Sequence, residues 1–237
     1  MNVTPLASVE AYWGNKTLEV HNISQGGMAL VAKMEDLQWS QGDEIDVSVS
    51  IRERAFPVKI NIRSIRGARV SCAFLDPPAA FLSSLKEFLG PKFLGAGLTP
   101  QKQIWNLPEA VAMVSEAISY EAFIGANQTG VFVWLGRKRE ILQLMAVARD
   151  LVLSWTPKGG ARTGRLKDPD DILLDSKSQE EGIIWDRKAE ETISQYMTDI
   201  LCAWLQKINR TDLVEKVINE DARTANDGEI IFPVING

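Results

Sequence analysis

The stretch His21-Asn22-Ile23-Ser24-Gln25-Gly26-Gly27-Met28-Ala29-Leu30 decides the fold of the amino-terminal part of this chain, because it sets a short polar turn between two apolar runs typical of β-strands. Asn22 and Ser24 are two residues apart, so on an extended backbone both side chains point to the same side. The alternation places His21 on the opposite side, where a packed or edge histidine is expected. Asn, Ser and Gly also suit an ordinary turn, so from chemistry alone a plain connection stays open.

The residues around this turn predict a run of short strands. Strands are expected at 17–22, 28–32, 44–52, 56–65 and 68–74, with apolar and polar side chains alternating most clearly in the third and fourth. Tight turns favour antiparallel pairing. Apolar residues at helical spacing from Phe81 to Leu89 predict a helix that covers one mouth of a small barrel and stops at Gly90-Pro91.

Composition limits the kinds of chemistry available. The 237 residues are 45% hydrophobic with a net charge of −5, which indicates a globular protein. One histidine and two cysteines, Cys72 and Cys202, support neither a metal site nor imidazole catalysis. With no leader and no apolar run of membrane-spanning length, a reduced cytoplasmic setting without membrane insertion is expected.

Positive charge is concentrated on the predicted barrel. Arg52, Arg54, Lys59, Arg63, Arg66 and Arg69 follow one another with Glu53 as the single acid among them. This strip would attract an anionic partner, although outward arginines also protect sheet edges. A second basic stretch, residues 158–167, is rich in glycine but lacks the spacing of a phosphate loop, which favours a flexible surface loop.

The strand order and turn resemble the PilZ family, bacterial β-barrel receptors for cyclic di-GMP, over roughly residues 7–89. The resemblance rests on Asn22-Ile23-Ser24-Gln25-Gly26-Gly27, on Gln41-Gly42-Asp43-Glu44-Ile45 and on a last strand from Val70 to Asp76. It implies that Asn22 and Ser24 hydrogen-bond a guanine base and that Gly27 lets the backbone turn. It also implies cyclic di-GMP as a regulatory ligand, with no cofactor.

The chain departs from the family pattern in its cations. The family's Arg-x-x-x-Arg arm, which clamps guanine edges and phosphates, has no counterpart, since residues 1–21 contain no arginine. Arg63 and Arg66 are the residues we expect to replace it, with Arg69 and the 158–167 stretch as further sources. Ser71 stands where the family usually has glycine.

The second half has a different pattern, which predicts a mostly α-helical domain at 106–237. Helices are expected at about 106–120, 137–155, 186–208 and 211–223, and residues 156–182 are expected to be a mobile loop. Residues 123–126 and 131–135 are compatible with a hairpin or, for the second run, with a buried helical lead-in. The expected organisation is therefore an α+β chain: a barrel at 1–90, a linker at 91–105 and a helical domain.

These observations leave two functions of different classes. In the first, the protein is a non-catalytic cyclic di-GMP receptor that couples ligand binding at Asn22, Ser24, Gly27, Arg63 and Arg66 to a helical output domain. In the second, a nucleotide-blind barrel serves as an adaptor that docks a protein partner through tryptophan-bearing helices. A protein partner is expected in both, homo-oligomers are compatible with both, and neither needs a nucleic-acid polymer. An enzyme is not expected, because no nucleophile and base converge in the sequence.

Overall fold

The computed structural model describes residues 9–31, 39–104, 107–167, 182–187 and 191–210. The chain divides into two compact units, Met1–Gly90 and Pro91–Gly237.

The first unit is a closed six-stranded antiparallel barrel, which confirms the predicted amino-terminal architecture. Its strands follow the order β1-β2-β3-β6-β5-β4, with β4 returning to pair with β1. They are β1 (Val9–Trp13), β2 (Lys16–Ser24), β3 (Gly27–Val31), β4 (Glu44–Ile51), β5 (Arg54–Arg66) and β6 (Arg69–Leu75). Closure leaves no free sheet edge between these strands.

Period-two alternation fills the barrel interior. Val47, Val49 and Ile51 of β4 are buried, and their neighbours in sequence point outward. On β5 the buried residues are Val58, Ile60 and Ile62. Apolar side chains at every second position therefore meet inside the closed sheet, as expected for a half-buried strand.

Helix α1 (Ala79–Gly97) follows the barrel and is longer than predicted. The ring of Phe81 packs edge-on against Phe56 at 5.8 Å and Phe74 at 5.0 Å, which anchors its first turns on β5 and β6. The expected stop at Gly90-Pro91 was wrong, because the helix continues through Pro91. Proline inside a helix costs roughly 3 kcal/mol, and the turns that follow Pro91 make tertiary contacts.

The last turns of α1 are held within the second unit. Lys92 Nζ lies 2.5 Å from Asp199 Oδ1 in a buried ion pair. Gly95 packs so closely on the backbone of Ile200 that a side chain would collide with the Ile200 carbonyl oxygen. The expected linker at 91–105 was wrong to this extent: it includes the end of α1, strand β7 (Thr99–Pro100) and a 3-10 turn at Lys102–Ile104.

The second unit is built on a seven-stranded antiparallel sheet, so the prediction of a mostly α-helical domain was wrong. The sheet order is β13-β12-β11-β10-β9-β8-β7. The strands after β7 are β8 (Ser119–Gly125), β9 (Thr129–Leu135), β10 (Ile141–Ala148), β11 (Leu151–Thr156), β12 (Gly160–Leu166) and β13 (Ile183–Trp185). Of the two alternatives for residues 123–135, the hairpin is the one observed, as β8 and β9.

The error has a physical cause, since both faces of this sheet are covered. Every residue of β9 is buried, and β10 and β11 are nearly so, which removes the alternation that marks a half-buried strand. The predicted helix at 137–155 is the β10–β11 hairpin. The predicted helix at 106–120 is only α2 (Pro108–Ala112), followed by β8.

The two covering layers differ. On one face, Tyr120, Phe132, Trp134, Met145 and Val147 pack with residues of the α2 segment, and Trp134 Nε1 donates to the Ala110 carbonyl at 2.7 Å. The other face carries α3 (Glu191–Lys207), whose Trp204 meets Phe123 of β8 at 4.9 Å. Helix α3 lies within the predicted 186–208 segment.

The expected mobile loop at 156–182 was wrong for its first part, because residues 160–166 form β12 between β11 and β13. Thr163 of β12 is buried and its hydroxyl donates to Asp186 at 2.5 Å. Residues 168–181 and the predicted helix at 211–223 lie outside the described residues.

Candidate functional site: a groove on the outer wall of the barrel

A β-bulge at His21 shapes the strand that carries the polar turn. Val20 lies opposite Leu30 and Asn22 lies opposite Ala29, so His21 has no residue opposite it. One extra residue shifts the alternation: Val20 and Ile23 are buried inside, and the residues between them, His21 and Asn22, both stay partly exposed. The expectation that His21 lies on the opposite side from Asn22 was therefore wrong.

The turn after Asn22 is held by internal bonds. Ser24 Oγ donates to the Gly27 carbonyl at 3.1 Å, and the Phe74 N–H donates to the Gly26 carbonyl at 3.0 Å. A Cβ on Gly27 would lie 2.1 Å from the Cys72 carbonyl oxygen, whereas one on Gly26 would meet nothing within 4 Å. Gly27 is thus required by close approach to β6, and its φ lies outside the left-handed region.

Small side chains on adjacent strands open a groove beside Asn22. Asn22 is the first residue of a row across the sheet, in which each residue lies opposite the next on the neighbouring strand: Ala29, Ser71 and Ser64. The groove has a volume of about 340 Å³ and is lined by Asn22, Ser24, Gly26, Gly27, Met28, Ala29, Arg69, Ser71 and Cys72. This volume is at the lower end of the range for small-molecule sites.

Arg69 is the cation that lines the groove. It closes the two-residue Gly67-Ala68 hairpin directly opposite Arg66, and both arginines are exposed. Arg63 sits in a second bulge, between Ile62 and Ser64, and is exposed. Of the two arginines expected at the site, Arg66 is thus a neighbour of the lining residue Arg69, and neither Arg63 nor Arg66 lines the groove.

The pair Arg66–Arg69 has an electrostatic cost. Like charges directly opposite each other on antiparallel strands destabilise the pairing. Arg66 has no ion pair or hydrogen bond with the part of the chain that the structure describes. Two adjacent guanidiniums beside a groove therefore form a positive site suited to an anion with more than one charge.

Arg69 is held by the bulged histidine. Its Nη2 lies 2.8 Å from His21 Nε2. A guanidinium has donors and no acceptor, so His21 Nε2 must accept this bond, which requires the neutral imidazole with its proton on Nδ1. The bulge thus brings His21 to Arg69, which the sequence offered only as a further source of positive charge.

Asn22 and Ser24 differ in how their hydrogen-bonding groups are used. Ser24 is engaged in the turn, whereas the Asn22 side-chain amide makes no hydrogen bond with the described residues. The amide offers both donors and an acceptor at the groove. The Cys72 side chain is buried with the barrel core, and burial raises the pKa of its thiol to about 12, so it is not a nucleophile for this site.

The described ranges offer neither a metal site nor a helix able to span a membrane. They contain no cluster of three or more His, Cys, Asp or Glu side chains able to hold a metal ion. No helix within them is both long and apolar enough to span a bilayer.

The chain is similar to several solved structures at low sequence identity. No curated protein matches the sequence significantly. Among solved structures, an uncharacterized Legionella protein is similar with a TM-score of 0.31 and 13% identity, covering 38% of this chain and 90% of the other. The PilZ domain of CeSA from a cellulose-synthesizing bacterium is similar with a TM-score of 0.30 and 11% identity, and the match covers 38% of this chain and 95% of the other. The Borreliella burgdorferi PlzA protein, solved in complex with c-di-GMP, is similar with a TM-score of 0.27 and 12% identity. That match covers 82% of this chain and 86% of the other.

The family models give a direct match. The model of the PilZ domain matches residues 3–90, the extent of the barrel and the first turns of α1. Residues 3–90 of this protein are a PilZ domain.

Proposed function

We propose that this protein is a non-catalytic signalling receptor whose PilZ domain binds cyclic di-GMP in the groove beside Asn22. The PilZ family binds this dinucleotide as a regulatory ligand, and the ligand carries two anionic phosphates and two guanine bases with both donors and acceptors. The groove offers the Arg69 guanidinium to a phosphate, and the Asn22 amide and Ser24 hydroxyl to a guanine base.

The observation that carries the proposal is the Asn22 amide, open to the groove and without a hydrogen-bond partner in the described structure, in the same groove as Arg69. An unused amide that is partly shielded from water gains most from a ligand that pairs both of its ends. We assign it to a guanine edge. Ser24 shares the groove and can accept a bond while its own proton stays on Gly27.

Arg69 supplies the guanidinium in this proposal, since residues 1–21 contain no arginine. It lines the groove and is flanked by Arg66, so a phosphate bound there meets two guanidiniums and relieves the repulsion between them. Arg63, three residues before Arg66 and exposed, adds to the same positive field without contacting the groove.

The output in this proposal is the second unit, a two-faced sheet with α3. A ligand changes an equilibrium only when it binds two arrangements unequally. Hydrogen exchange of the full chain tests this step: cyclic di-GMP is expected to change protection in residues 91–210 as well as in the barrel. Protection changes confined to the barrel would contradict it.

Calorimetric titration of the full chain with cyclic di-GMP tests the binding site. We expect binding that Asn22→Ala weakens at least about tenfold, the usual consequence of losing one to two hydrogen bonds to a partly buried polar group. The matched control is Asn15→Ala, the same truncation in the exposed β1–β2 turn, which is expected to leave the affinity unchanged. Absence of binding by the wild type would reject the receptor and favour the nucleotide-blind adaptor.

A further inference from the structure

We infer that His21 is a positioning residue for Arg69 and makes ligand binding at the groove stronger as the pH falls. The inference rests on the proposed function, since the ligand it concerns is cyclic di-GMP. It starts from the bulge that places the imidazole and the guanidinium within 2.8 Å of each other.

In the neutral state His21 restrains Arg69. Because the guanidinium donates to Nε2, one of its N–H groups is directed at the imidazole and not at the groove. A phosphate that approaches Arg69 must compete with this bond or use the remaining donors. His21 therefore sets both the position of Arg69 and the cost of redirecting it.

Protonation of His21 reverses this relationship. An imidazolium has no lone pair on Nε2, so it cannot accept from Arg69, and the two cations then repel each other. Arg69 is released towards the groove. The imidazolium also adds a second positive charge beside an anionic ligand, so both consequences favour the bound state at low pH.

The other charged groups around His21 do not provide the same response. On its own strand the nearest acid is Glu19, which is exposed and has no ion pair with the described residues. Across the sheet, Glu19 lies opposite Val31, which is followed on the next two strands by Arg69 and Arg66. On the neighbouring strand β1, Glu10 accepts a hydrogen bond from the Tyr12 hydroxyl. Arg66 on β5 keeps its charge throughout. His21 is the one histidine of the chain, and histidine is the residue type that serves as a charge switch near neutral pH.

The test is calorimetric titration with cyclic di-GMP at about pH 5.5 and pH 8. We expect the wild type to bind about three- to fivefold more tightly at the lower pH, the size of one exposed charge–charge interaction. His21→Gln keeps a hydrogen-bond acceptor without a titrating group, and its affinity is expected to be the same at the two pH values. Equal wild-type affinities, or a pH dependence that persists in His21→Gln, would overturn the inference and leave the receptor standing. No binding at either pH would overturn both.

A measurement without ligand tests the restraint itself. The single histidine gives one pair of imidazole ¹⁵N signals, and at about pH 8 these are expected to show the proton on Nδ1. Arg69→Ala, with Arg54→Ala as the exposed control at the β4–β5 turn, is expected to abolish that preference while the control keeps it. A proton found on Nε2 in the wild type would contradict the Arg69–His21 bond and with it the inference.

Discussion

Gly27 of β3 lies opposite Ala73 of β6 at such a close approach that any side chain on Gly27 would collide with the Cys72 carbonyl. Its neighbour Gly26 faces open space. The two adjacent glycines of the turn therefore have different roles, and the requirement at Gly27 comes from packing between strands.

Gly27→Ala is expected to destabilise the barrel. A methyl group must displace β6 backbone, and overpacking of this kind costs about 1–3 kcal/mol. Gly26→Ala is the matched control and is expected to change stability by less than about 0.5 kcal/mol. Chemical unfolding of both variants, followed by circular dichroism, measures the difference. Equal stabilities would contradict the close contact.

Ser71→Leu is expected to weaken cyclic di-GMP binding while the protein stays folded. Ser71 lines the groove beside Ala29 and Ser64, where the small side chains leave the space. A leucine fills it and removes a polar surface, so an affinity loss of at least about tenfold is expected. Ser50→Leu, on the outer face of β4, is the control. Calorimetric titration of both variants with cyclic di-GMP measures the two affinities. An unchanged affinity in Ser71→Leu would place the ligand elsewhere.

Removing one member of the Lys92–Asp199 pair is expected to destabilise the second unit strongly. Both groups are buried, and an uncompensated buried charge costs about 3–5 kcal/mol. We expect Asp199→Leu to show this loss and the double variant with Lys92→Met to recover most of it. Thermal unfolding of the single and double variants gives the comparison. Asp150→Ala, which breaks an exposed pair with Arg165, is expected to cost less than about 1 kcal/mol.

Cys72 is expected to resist thiol reagents in the folded protein. Burial raises the pKa of its thiol to about 12, so at pH 8 the thiol is protonated and the reactive thiolate is scarce. Cys202 is buried as well. A colorimetric thiol assay is expected to detect neither cysteine before unfolding and both in denaturant. Rapid labelling of Cys72 in the native state would contradict its burial.

The same pKa gives a direction for alkaline stability. A thiol whose pKa is raised on folding keeps its contribution to stability below the ordinary thiol pKa and loses it as the pH rises towards 12. Burial also raises the pKa of Tyr120, which acts in the same direction. The free energy of unfolding is therefore expected to fall above about pH 9. A Cys72→Ala variant is expected to show a smaller fall in urea titrations, and an identical slope would contradict the assignment.

Local pattern was sufficient for the barrel and insufficient for the second unit. The strands of the barrel have one face towards a core and one towards water, so Val47, Val49 and Ile51 alternate with polar neighbours and could be recognised. In β9 to β11 both faces are covered, the alternation disappears, and apolar residues at helical spacing in 141–155 arise by coincidence.

The candidate site shows the same division. Asn22, Ser24 and Gly27 were recognisable because a turn motif is contiguous in sequence. Arg69 joins them only through the pairing of β3 with β6, which brings together residues some forty positions apart along the chain. The tight turn Arg66-Gly67-Ala68-Arg69 indicated that two arginines lie side by side. It did not indicate where they lie relative to Asn22.

By itself, then, the sequence determined the half-buried strands and the polar turn, since each depends on neighbours within a few residues. Only the tertiary structure decided which arginine lines the groove with Asn22, on which side His21 lies and that the second unit is a sheet. The physical reason is that strand pairing and bulges are selected by the packing of distant segments, and one extra residue in a strand reverses every side chain beyond it.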